Sequence, residues 1–493
     1  MNLLRYRYEI AVFLASFSIM VFEIVGSRVM GPYFGTSLQI WTLLIGIVLG
    51  SISLGYIWGG RKANDGATVS FFSRLYLFAG MTLAVTLLLR DIIISVILIG
   101  KLPFLVAAFV TTILLFGPTS FFLGAITPYA MTLKGQEEKR LGILVGNLSA
   151  ISTIGSIVGT FAAGLILIPL FGTTSILIGL IVLLLLVGVG LFLPKTGGQI
   201  GSLGVTFLFV LSYSVYYYSF RDAANPLDVD TQYNRVLLYT VTNTEGNKVR
   251  ILGINNENHS AMYLESNELV NEYTKYYDLF SLAVPNAQRV LMLGGAGYSY
   301  PKHALEKYPH LSLDVVEIDP GVTALARKYF RLVDDPRLTI YHQDARIFLN
   351  NPPRKYDAIL GDAFGSRYAV PFHLTTKEAM EKIYAALSEE GIFIMNVISA
   401  QEGSGSRYLH AQVKTLQEVF PYVTTFKVLP EAKEIYQNIM IVASKSPFPT
   451  VSTDEYFNSF LQNRFDSSSS SQQGIVLTDE YAPVEKMLYE ANF

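Results

Sequence analysis

The chain has 493 residues, of which 51% are hydrophobic and only 15% are charged. That balance indicates a membrane protein with enough length for two or three domains. With a net charge of −2 and no strong basic run, we expect no nucleic acid as a partner. The chain contains no cysteine, which excludes disulfides, zinc–thiolate sites, cysteine-ligated iron–sulfur clusters and thiol nucleophiles.

The apolar excess is concentrated in residues 1–220, which we interpret as a transmembrane helical domain with the lipid bilayer as its partner. Stretches of roughly twenty or more apolar residues are long enough to cross a bilayer. Arg90-Asp91 and Gly117-Pro118 interrupt two of them, so the count is about seven. The predicted segments are Tyr8–Met30, Ser37–Trp58, Arg74–Ile99, Phe104–Thr132, Leu141–Leu170, Thr173–Leu193 and Ile200–Phe220.

The orientation in the membrane follows from two arguments that disagree. Arg5 and Arg7 favour a cytoplasmic amino terminus, and seven crossings then leave the carboxyl-terminal domain outside. The glycines and strand-end acids of residues 289–362, by contrast, predict a nucleotide-derived cofactor, which is a cytoplasmic compound. We therefore expect an integral protein of the cell (inner) membrane with its α/β domain in the cytoplasm, which requires a missed crossing or a last segment that lies along the interface.

Residues 221–266 are predicted to form a small β-strand module. Asp230–Val241, Lys248–Asn255 and Ala261–Glu265 alternate between apolar and polar residues around two turn-forming stretches. The remaining residues, 267–493, are predicted to form an α/β domain that begins with a helix over Asn267–Ala283.

A glycine turn opens that domain. The apolar run Arg289–Leu293 reads as a strand, and Gly294, Gly295 and Gly297 follow before a helix that begins near Tyr298. Glycines allow the backbone to turn tightly and approach a ligand, and the helix is expected to direct unpaired N–H groups at it. A strand, a glycine turn and a helix in this order favour a nucleotide site.

Acidic residues end the next three predicted strands. Glu317 and Asp319 close the second strand, Asp344 the third and Asp362 the fourth. An acid about twenty residues after the glycines is typical of a group that binds ribose hydroxyls. Because open α/β sheets bind ligands at the carboxyl ends of their strands, these acids mark the site. Three later strands complete a seven-stranded doubly wound, Rossmann-like sheet.

These motifs resemble the spermidine synthases, in particular the membrane-fused spermidine synthase-like proteins, whose sheet is of the class I methyltransferase type. The resemblance implies an adenosyl-sulfonium compound, S-adenosylmethionine or its decarboxylated form, as the substrate, and no metal. It also implies that Glu317 holds the ribose hydroxyls and that Asp344 contacts the adenine amino group. The matching segments are Gly294–Gly297, Val316–Asp319, Gln343-Asp344-Ala345, Tyr356–Asp362 and Ala432–Ser444. The resemblance implies that the cofactor-binding residues are Gly294, Gly295, Gly297, Glu317, Asp344 and Ala345.

The sequence also departs from the family where the amine substrate is bound. The family's turn continues with an acid at the position of Gly297, and its fourth strand ends in a second acid at the position of Gly365. Its Tyr-Gln or Tyr-His pair becomes Tyr273-Thr274, and a glutamine of the preceding hairpin is replaced by His259. The residues that the resemblance assigns to the cofactor are kept, whereas those for the amine are lost.

This asymmetry favours a lyase or cyclotransferase that converts S-adenosylmethionine to 5′-methylthioadenosine and homoserine lactone. The substrate's own carboxylate can attack its γ-carbon without an amine-binding acid, with Asp362 and Tyr273 as the catalytic residues. The alternative is an aminopropyltransferase (spermidine synthase) acting on decarboxylated S-adenosylmethionine and putrescine. A transporter or sensor with a nucleoside-binding domain is the third reading and methyl transfer a fourth; the oligomeric state stays open. In the aminopropyltransferase reading, the substitutes for the lost acids are Asp362, Asp278, Asp479 or Glu480.

Overall fold

The computed structural model describes residues 6–100, 102–136, 140–190, 227–255, 257–363, 370–429, 436–466 and 474–490. The chain divides into two compact units, Met1–Arg235 and Val236–Phe493. The predicted domain boundaries at residues 220 and 266 stay predictions, and residue 220 lies outside the described residues.

Long apolar helices make up most of the first unit. Five of the described helices are long and apolar enough to cross a bilayer, and a shorter apolar helix follows them. Six predicted segments are therefore helical, while the seventh, Ile200–Phe220, lies outside the described residues. The helices are α1 (Arg7–Phe34), α2 (Leu38–Asn64), α3 (Val69–Ile99), α4 (Phe104–Gly135), α5 (Leu141–Ala162, continued by a π-helical turn Ala163–Leu167 and by Ile168–Leu170) and α6 (Thr173–Gly190).

The two interruptions in the apolar pattern do not break the helices. Helix α3 continues through Arg90, whose guanidinium is buried and donates to the Thr174 hydroxyl at 3.3 Å. Helix α4 likewise contains Pro118 without ending there. Neighbouring helices can satisfy the polar groups that such residues leave open, which sequence periodicity does not show.

Several helices of this unit approach one another closely at glycines. A Cβ at Gly159 of α5 would lie 2.6 Å from the carbonyl oxygen of Phe17 on α1, and Gly155 packs as closely against Phe13. On α2, a Cβ at Gly59 would lie 2.6 Å from the carbonyl oxygen of Ala125 on α4. Small residues at these positions let the helix backbones approach one another, as expected for packing within a membrane.

The segment that leads out of the first unit is tied to one end of the helices. Strand β1 (Leu227–Asp230) precedes Arg235, whose guanidinium contacts the Asp228 carboxylate at 2.6 Å and the Asp91 carboxylate at 3.3 Å. Tyr33 at the end of α1 accepts a further hydrogen bond from Arg235 at 2.9 Å. Several ion pairs in one network fix this segment more firmly than an isolated surface pair would.

The second unit begins with an antiparallel meander of β2 (Arg235–Thr242), β3 (Lys248–Ile254) and β4 (Glu257–Tyr263). The third predicted strand was placed too late, because Ile254 already pairs with Glu257. Asn255 takes a positive φ of 49°, which makes the turn between β3 and β4 tight. Residues 257–259, predicted as loop, are therefore part of β4.

The predicted helix Asn267–Ala283 is wrong in its first five residues. Leu269 forms a β-bridge with Met262, and Asn271 is extended, so helical structure begins only at Glu272. It then runs as three short pieces, Glu272–Lys275, Tyr276–Asp278 and Leu279–Ala283. Pairing with the end of β4 competes with the local helix propensity, and the pattern of the segment alone does not reveal that competition.

A mixed sheet of eight strands forms the centre of the second unit, in the order β12-β10-β11-β9-β8-β5-β6-β7. Strands β5 to β9 run parallel to one another, and β11 runs antiparallel to both β9 and β10. The class I methyltransferase-type sheet is confirmed, with the two-residue β12 added at one edge. The strands are β5 (Arg289–Leu293), β6 (Ser312–Val316), β7 (Leu338–Tyr341), β8 (Tyr356–Gly361), β9 (Leu387–Ser399), β10 (Tyr422–Lys427), β11 (Gln437–Ser444) and β12 (Arg464–Phe465).

Helices cover this sheet and bury its apolar residues. Met380, Ile383 and Leu409 belong to one core cluster with strand residues such as Ile359 and Phe393. The helices are α7 (Ser299–Lys307), α8 (Pro320–Tyr329), α9 (Ala345–Phe348), α10 (Lys377–Ala386), α11 (Arg407–Gln417), α12 (Glu455–Leu461) and α13 (Val484–Glu490).

Candidate active site

Four parallel strands end together and thereby assemble the site. Leu293, the last residue of β5, is in register with Val316 on β6 and with Gly361 on β8, and Val316 is in register with Tyr341 on β7. The residues that follow these four strands therefore emerge at one edge. That edge carries the glycine turn and the strand-end acids Glu317, Asp319, Asp344 and Asp362.

The glycine turn lies close to the end of β8. Gly294 has a φ of +97°, and a Cβ there would lie 3.1 Å from the carbonyl carbon and oxygen of Asp362. Its N–H donates to the carbonyl of Val316 at 2.9 Å. Only glycine satisfies both the backbone angle and the close approach.

Glu317 folds back onto this turn. One carboxylate oxygen accepts from the N–H groups of Gly295 at 2.9 Å and Ala296 at 3.0 Å, and the other accepts from Asp319 at 2.9 Å. Burial raises the pKa of Glu317, while these three backbone donors lower it. The carboxylate thus stabilises the turn and leaves its remaining lone pairs for hydroxyl donors.

Gly297 is enclosed, and its backbone donor is in use. Its N–H donates to the Ser260 hydroxyl at 3.0 Å, and a Cβ would lie 2.8 Å from the Ser260 Cβ and 2.9 Å from the Phe330 ring. The Tyr298 N–H donates to the Gly295 carbonyl at 2.7 Å. The N–H groups of Gly295 to Tyr298 are therefore not free for a ligand, because Glu317, Ser260 and the Gly295 carbonyl accept them. The expectation that the following helix directs unpaired N–H groups at a ligand stays a prediction for its first residues.

Asp344 and Ala345 lie at the start of α9. One carboxylate oxygen of Asp344 accepts from the N–H of Ile347 at 3.1 Å and so caps the helix, while the other lies 3.2 Å from Nε2 of His373. Ala345 is buried beneath it. Asp344 itself is partly exposed at the sheet edge, where it can accept a further hydrogen bond.

Asp362 lies directly after β8 and forms the polar centre of the site. Its carboxylate accepts from the Tyr273 hydroxyl at 3.2 Å and from the Asn396 side chain at 3.1 Å. Burial raises the pKa of Asp362 to about 6, although hydrogen bonds from Asn396, Tyr277 and Tyr273 lower it. The group is thus mainly a carboxylate at neutral pH and can take up a proton just below it.

Two tyrosines form a wall beside Asp362. Burial and the neighbouring Asp362 carboxylate raise the pKa of Tyr273 well above 10, so its hydroxyl remains a donor. Tyr277 packs against Tyr273 with ring centroids 6.3 Å apart and donates to the carbonyl of Gly361 at 3.3 Å. The structure therefore brings the two predicted catalytic residues, Asp362 and Tyr273, into direct contact.

A small pocket adjoins this wall, and the glycine turn forms another part of its lining. Besides Asp362 and Tyr273 it is lined by residues that include Gly295, Ser260, His259 and Tyr300. Burial lowers the pKa of His259 to about 4, opposed by a hydrogen bond to the carbonyl of Ile254. The imidazole is neutral at pH 7, so it adds no positive charge to the pocket.

Sequence reasoning missed Asn396 and Ser260. Asn396 is the polar residue within the apolar run of β9. Its side chain donates to Asp362 and accepts a hydrogen bond from the Asn438 side chain at 2.9 Å. Such an isolated amide in a buried strand is a usable signal. Ser260 gives no such signal, because its role depends on the meander packing against the glycine turn.

Of the other acids proposed as substitutes, Asp278 and Asp479 form ion pairs outside the pocket. Asp278 is fully buried and contacts Lys307 at 2.7 Å. Asp479 contacts Arg346 at 2.6 Å, and Glu480 is exposed. Gly365, the second position at which the family carries an acid, lies outside the described residues.

Comparison with known proteins adds an independent finding. Residues 276–455 match the family model described as the spermine/spermidine synthase domain. A polyamine aminopropyltransferase of Vibrio vulnificus is 32% identical over 151 residues, which cover 30% of this chain and 48% of that protein. One of Streptococcus uberis is 41% identical over 118 residues, which cover 22% of this chain and 40% of that protein. The chain thus spans about half the length of the curated relatives it matches.

Among solved structures, a probable spermidine synthase from Corynebacterium glutamicum aligns with a TM-score of 0.45 at 20% identity. The alignment covers 51% of this chain and 95% of that one. An eEF1A lysine and N-terminal methyltransferase of Xenopus laevis is 27% identical over 155 residues, which cover 30% of this chain and 22% of that protein.

Proposed function

With residues 276–455 forming a spermine/spermidine synthase domain, we propose that the protein is a membrane-bound aminopropyltransferase. It binds decarboxylated S-adenosylmethionine at the carboxyl edge of the sheet and transfers the aminopropyl group to an amine. This is the alternative function of the sequence analysis. It ranks above the lyase because the matched relatives of Vibrio vulnificus and Streptococcus uberis are named as polyamine aminopropyltransferases.

Asp362 is the observation that carries the proposal. An amine acceptor is protonated at neutral pH, so it needs an anionic group to bind it and a base to take up its proton. Asp362 lies at the strand edge, is oriented by Tyr273 and Asn396, and has a pKa of about 6. A carboxylate in this state can do both.

The proposed step is a single displacement. The amine nitrogen forms a bond to the carbon next to the sulfonium, and the carbon–sulfur bond breaks with its electron pair going to sulfur. The leaving group is neutral 5′-methylthioadenosine. The proton that the amine loses passes to Asp362 and then to water.

The paired donors of the glycine turn support a nucleoside without phosphates. The N–H groups of Gly295, Ala296 and Gly297 are occupied within the protein, so this part of the turn does not offer the donors that bind a pyrophosphate in dinucleotide sites. A ribose needs hydroxyl acceptors instead. In the proposed complex Glu317 accepts from the ribose hydroxyls and Asp344 from the adenine amino group.

The lyase remains as a second candidate because of Gly297. Ser260 and Phe330 leave no room for the acid that the family carries at that position. Without that acid, the α-carboxylate of undecarboxylated S-adenosylmethionine meets less repulsion. The carboxylate would then attack the γ-carbon of its own chain and release homoserine lactone.

Three incubations of the purified full-length protein distinguish these functions. The proposal predicts 5′-methylthioadenosine from decarboxylated S-adenosylmethionine only when putrescine or another amine is added. Product from S-adenosylmethionine alone, with no amine, would instead support the lyase. No product in any arm, with nucleoside binding intact, would reject both and leave the sensor or transporter reading.

A matched pair of variants ties the product to the site. Asp362→Asn should remove most turnover. Asp357 lies near the other end of β8, where its carboxylate accepts from the N–H groups of Gln288 and Arg289 at 3.0 Å. Asp357→Asn changes a carboxylate on the same strand and should leave turnover nearly unchanged.

We also propose that the α/β domain faces the cytoplasm, where such a substrate is made. The five long apolar helices are consistent with insertion into a membrane. Basic residues at the end of the bundle opposite Arg235, including Arg7, Arg61 and Lys134, favour the other orientation by the positive-inside rule. The two arguments predict opposite results in one labelling experiment, described below.

A further inference from the structure

Asp278 is a fully buried carboxylate behind one wall of the pocket. One oxygen accepts from the Tyr300 hydroxyl at 2.9 Å. The other accepts from Lys307 at 2.7 Å and from the Tyr456 hydroxyl at 2.7 Å. Such a group is stable in the interior only because its partners satisfy both oxygens.

Helix α7 supplies two of those partners from one face. Tyr300 and Lys307 are seven residues apart and therefore point to the same side of the helix. His303, between them, places its Nε2 4.0 Å from the Asp278 carboxylate. Asp278 thus fixes the rotation of the first turns of α7, which follow the glycine turn directly.

Tyr300 carries this constraint into the pocket. Its side chain lines the pocket with Asp362, and its ring meets the Tyr277 ring edge-on with centroids 5.1 Å apart. The Tyr277 hydroxyl in turn donates to the carbonyl of Gly361, the residue before Asp362, and its hydrogen bonding helps to lower the pKa of Asp362. A continuous series of contacts therefore runs from Asp278 to Asp362.

We propose that Asp278 is a positioning residue that, through Tyr300 and Tyr277, holds the tyrosine wall in place against the Asp362 carboxylate. This inference rests on the proposed function in that it takes Asp362 as the working carboxylate. It also assigns a role to an acid that the aminopropyltransferase reading had offered as a direct substitute. Asp278 does not replace a lost acid in the pocket; it orients the residues that set the properties of the one that remains.

Titratable groups surround both carboxylates, and their pKa values determine which group changes its charge near pH 6. Asp278 is faced by Lys307, His303, Tyr300 and Tyr456, with Tyr308 nearby on the same helix end. Asp362 is faced by Tyr273 and Tyr277, and His259 lines the same pocket. Burial keeps the pKa of His259 at about 4 and those of the tyrosines above 10, so Asp362 is the one of these pocket groups that titrates near pH 6.

The test measures the protonation of Asp362 without using activity. Hydrogen exchange of the most protected β8 and β9 amides in the full-length protein gives the stability of this region. In the wild type and in each variant, this stability is compared between the protein with Asp362 and the same protein with Asp362→Asn. The difference between the two changes with pH and levels off near the folded-state pKa of Asp362. Asp278→Asn and Tyr300→Phe should each move that pH upward by about one unit, the effect of one lost hydrogen bond to a charged group.

Asp314 provides a matched control. It is likewise buried, accepts from the Tyr356 hydroxyl at 2.7 Å and contacts Arg354 at 3.3 Å, but neither tyrosine nor carboxylate lines the pocket. Asp314→Asn should lower stability without moving the pH at which the difference levels off. An upward move of that pH in Tyr300→Phe supports the inference even if Asp278→Asn fails to fold.

The inference is overturned if the levelling pH is the same in the wild type, in Tyr300→Phe and in Asp278→Asn. Asp278 would then be a structural residue like Asp314. Absence of turnover with every substrate would reject the proposed function but would leave this titration unaffected, so the two failures can be told apart.

Discussion

Replacing Asp362 by Asn should make the protein more stable at neutral pH while it loses activity. The pKa of Asp362 is about 6 in the folded protein against an ordinary value of 3.8. Because the folded state holds the proton more tightly, wild-type stability falls as pH rises through the window from about 4 to about 6. An amide at this position does not ionise, so the variant avoids that loss.

The size of the effect follows from the shift. A change of about two pKa units corresponds to roughly 3 kcal/mol, and the partial exposure of Asp362 reduces it to about 1 to 3 kcal/mol. The amide can retain hydrogen bonds with Tyr273 and Asn396, so little else should change. The variant should therefore match the wild type near pH 4 and exceed it by this amount above pH 6.

Hydrogen exchange of β8 and β9 amides at each pH, compared between wild type and variant at the same pH, measures the difference. A stability difference that does not vary with pH would refute the reasoning. So would a wild type that is the more stable protein at pH 7, since that result would mean that Asp362 is stabilised as a carboxylate in the folded state. Asp357→Asn serves as the control on the same strand.

Three further predictions concern other parts of the account. In steady-state kinetics, wild-type kcat/KM should rise with pH through about 6 as Asp362 ionises. The residual activity of Asp362→Asn should lack this rise. A rise that survives the substitution would assign it to another group. Gly297→Ala should destabilise the α/β domain by about 1 to 3 kcal/mol because the new Cβ would lie 2.8 Å from Ser260, and a neutral result in chemical denaturation would show that Ser260 and Phe330 move aside. Since the chain has no native cysteine, a single Glu480→Cys variant reports sidedness cleanly: we expect protection from an impermeant thiol reagent added to intact cells, and labelling without permeabilisation would place the α/β domain outside.

The positions of the acids at the sheet edge could be predicted from sequence because they depend on regular features. Apolar runs that end in Gly294, Glu317, Asp344 and Asp362 identify parallel strands, and parallel strands in register end at one edge. The length of the apolar stretches also located six helices of the first unit. These features are local, so they survive without knowledge of tertiary contacts.

What could not be predicted depends on which residue takes up a free hydrogen bond. The sequence does not show that the N–H groups of the glycine turn are taken up by Glu317 and Ser260, and Ser260 comes from a separate sheet. Sequence alone does not distinguish Asp278 from the other candidate acids, whereas in the structure Tyr300 and Lys307 donate to its carboxylate. Such contacts join residues 22 to 37 positions apart. The spacing rule that relates Glu317 to the glycines predicts a ribose contact and does not predict these hydrogen bonds within the protein.

Binding of 5′-methylthioadenosine to the full-length protein tests the central claim most directly, because it is the product of both candidate reactions. Calorimetric titration should show binding that Glu317→Gln weakens by about tenfold or more, the effect of a lost hydrogen bond to a charged group, and that Asp362→Asn leaves nearly unchanged. ATP should compete poorly, since the donors of Gly295 to Gly297 are occupied. No binding of 5′-methylthioadenosine by the folded protein, or equal binding of ATP, would contradict an adenosyl-sulfonium site at this edge of the sheet.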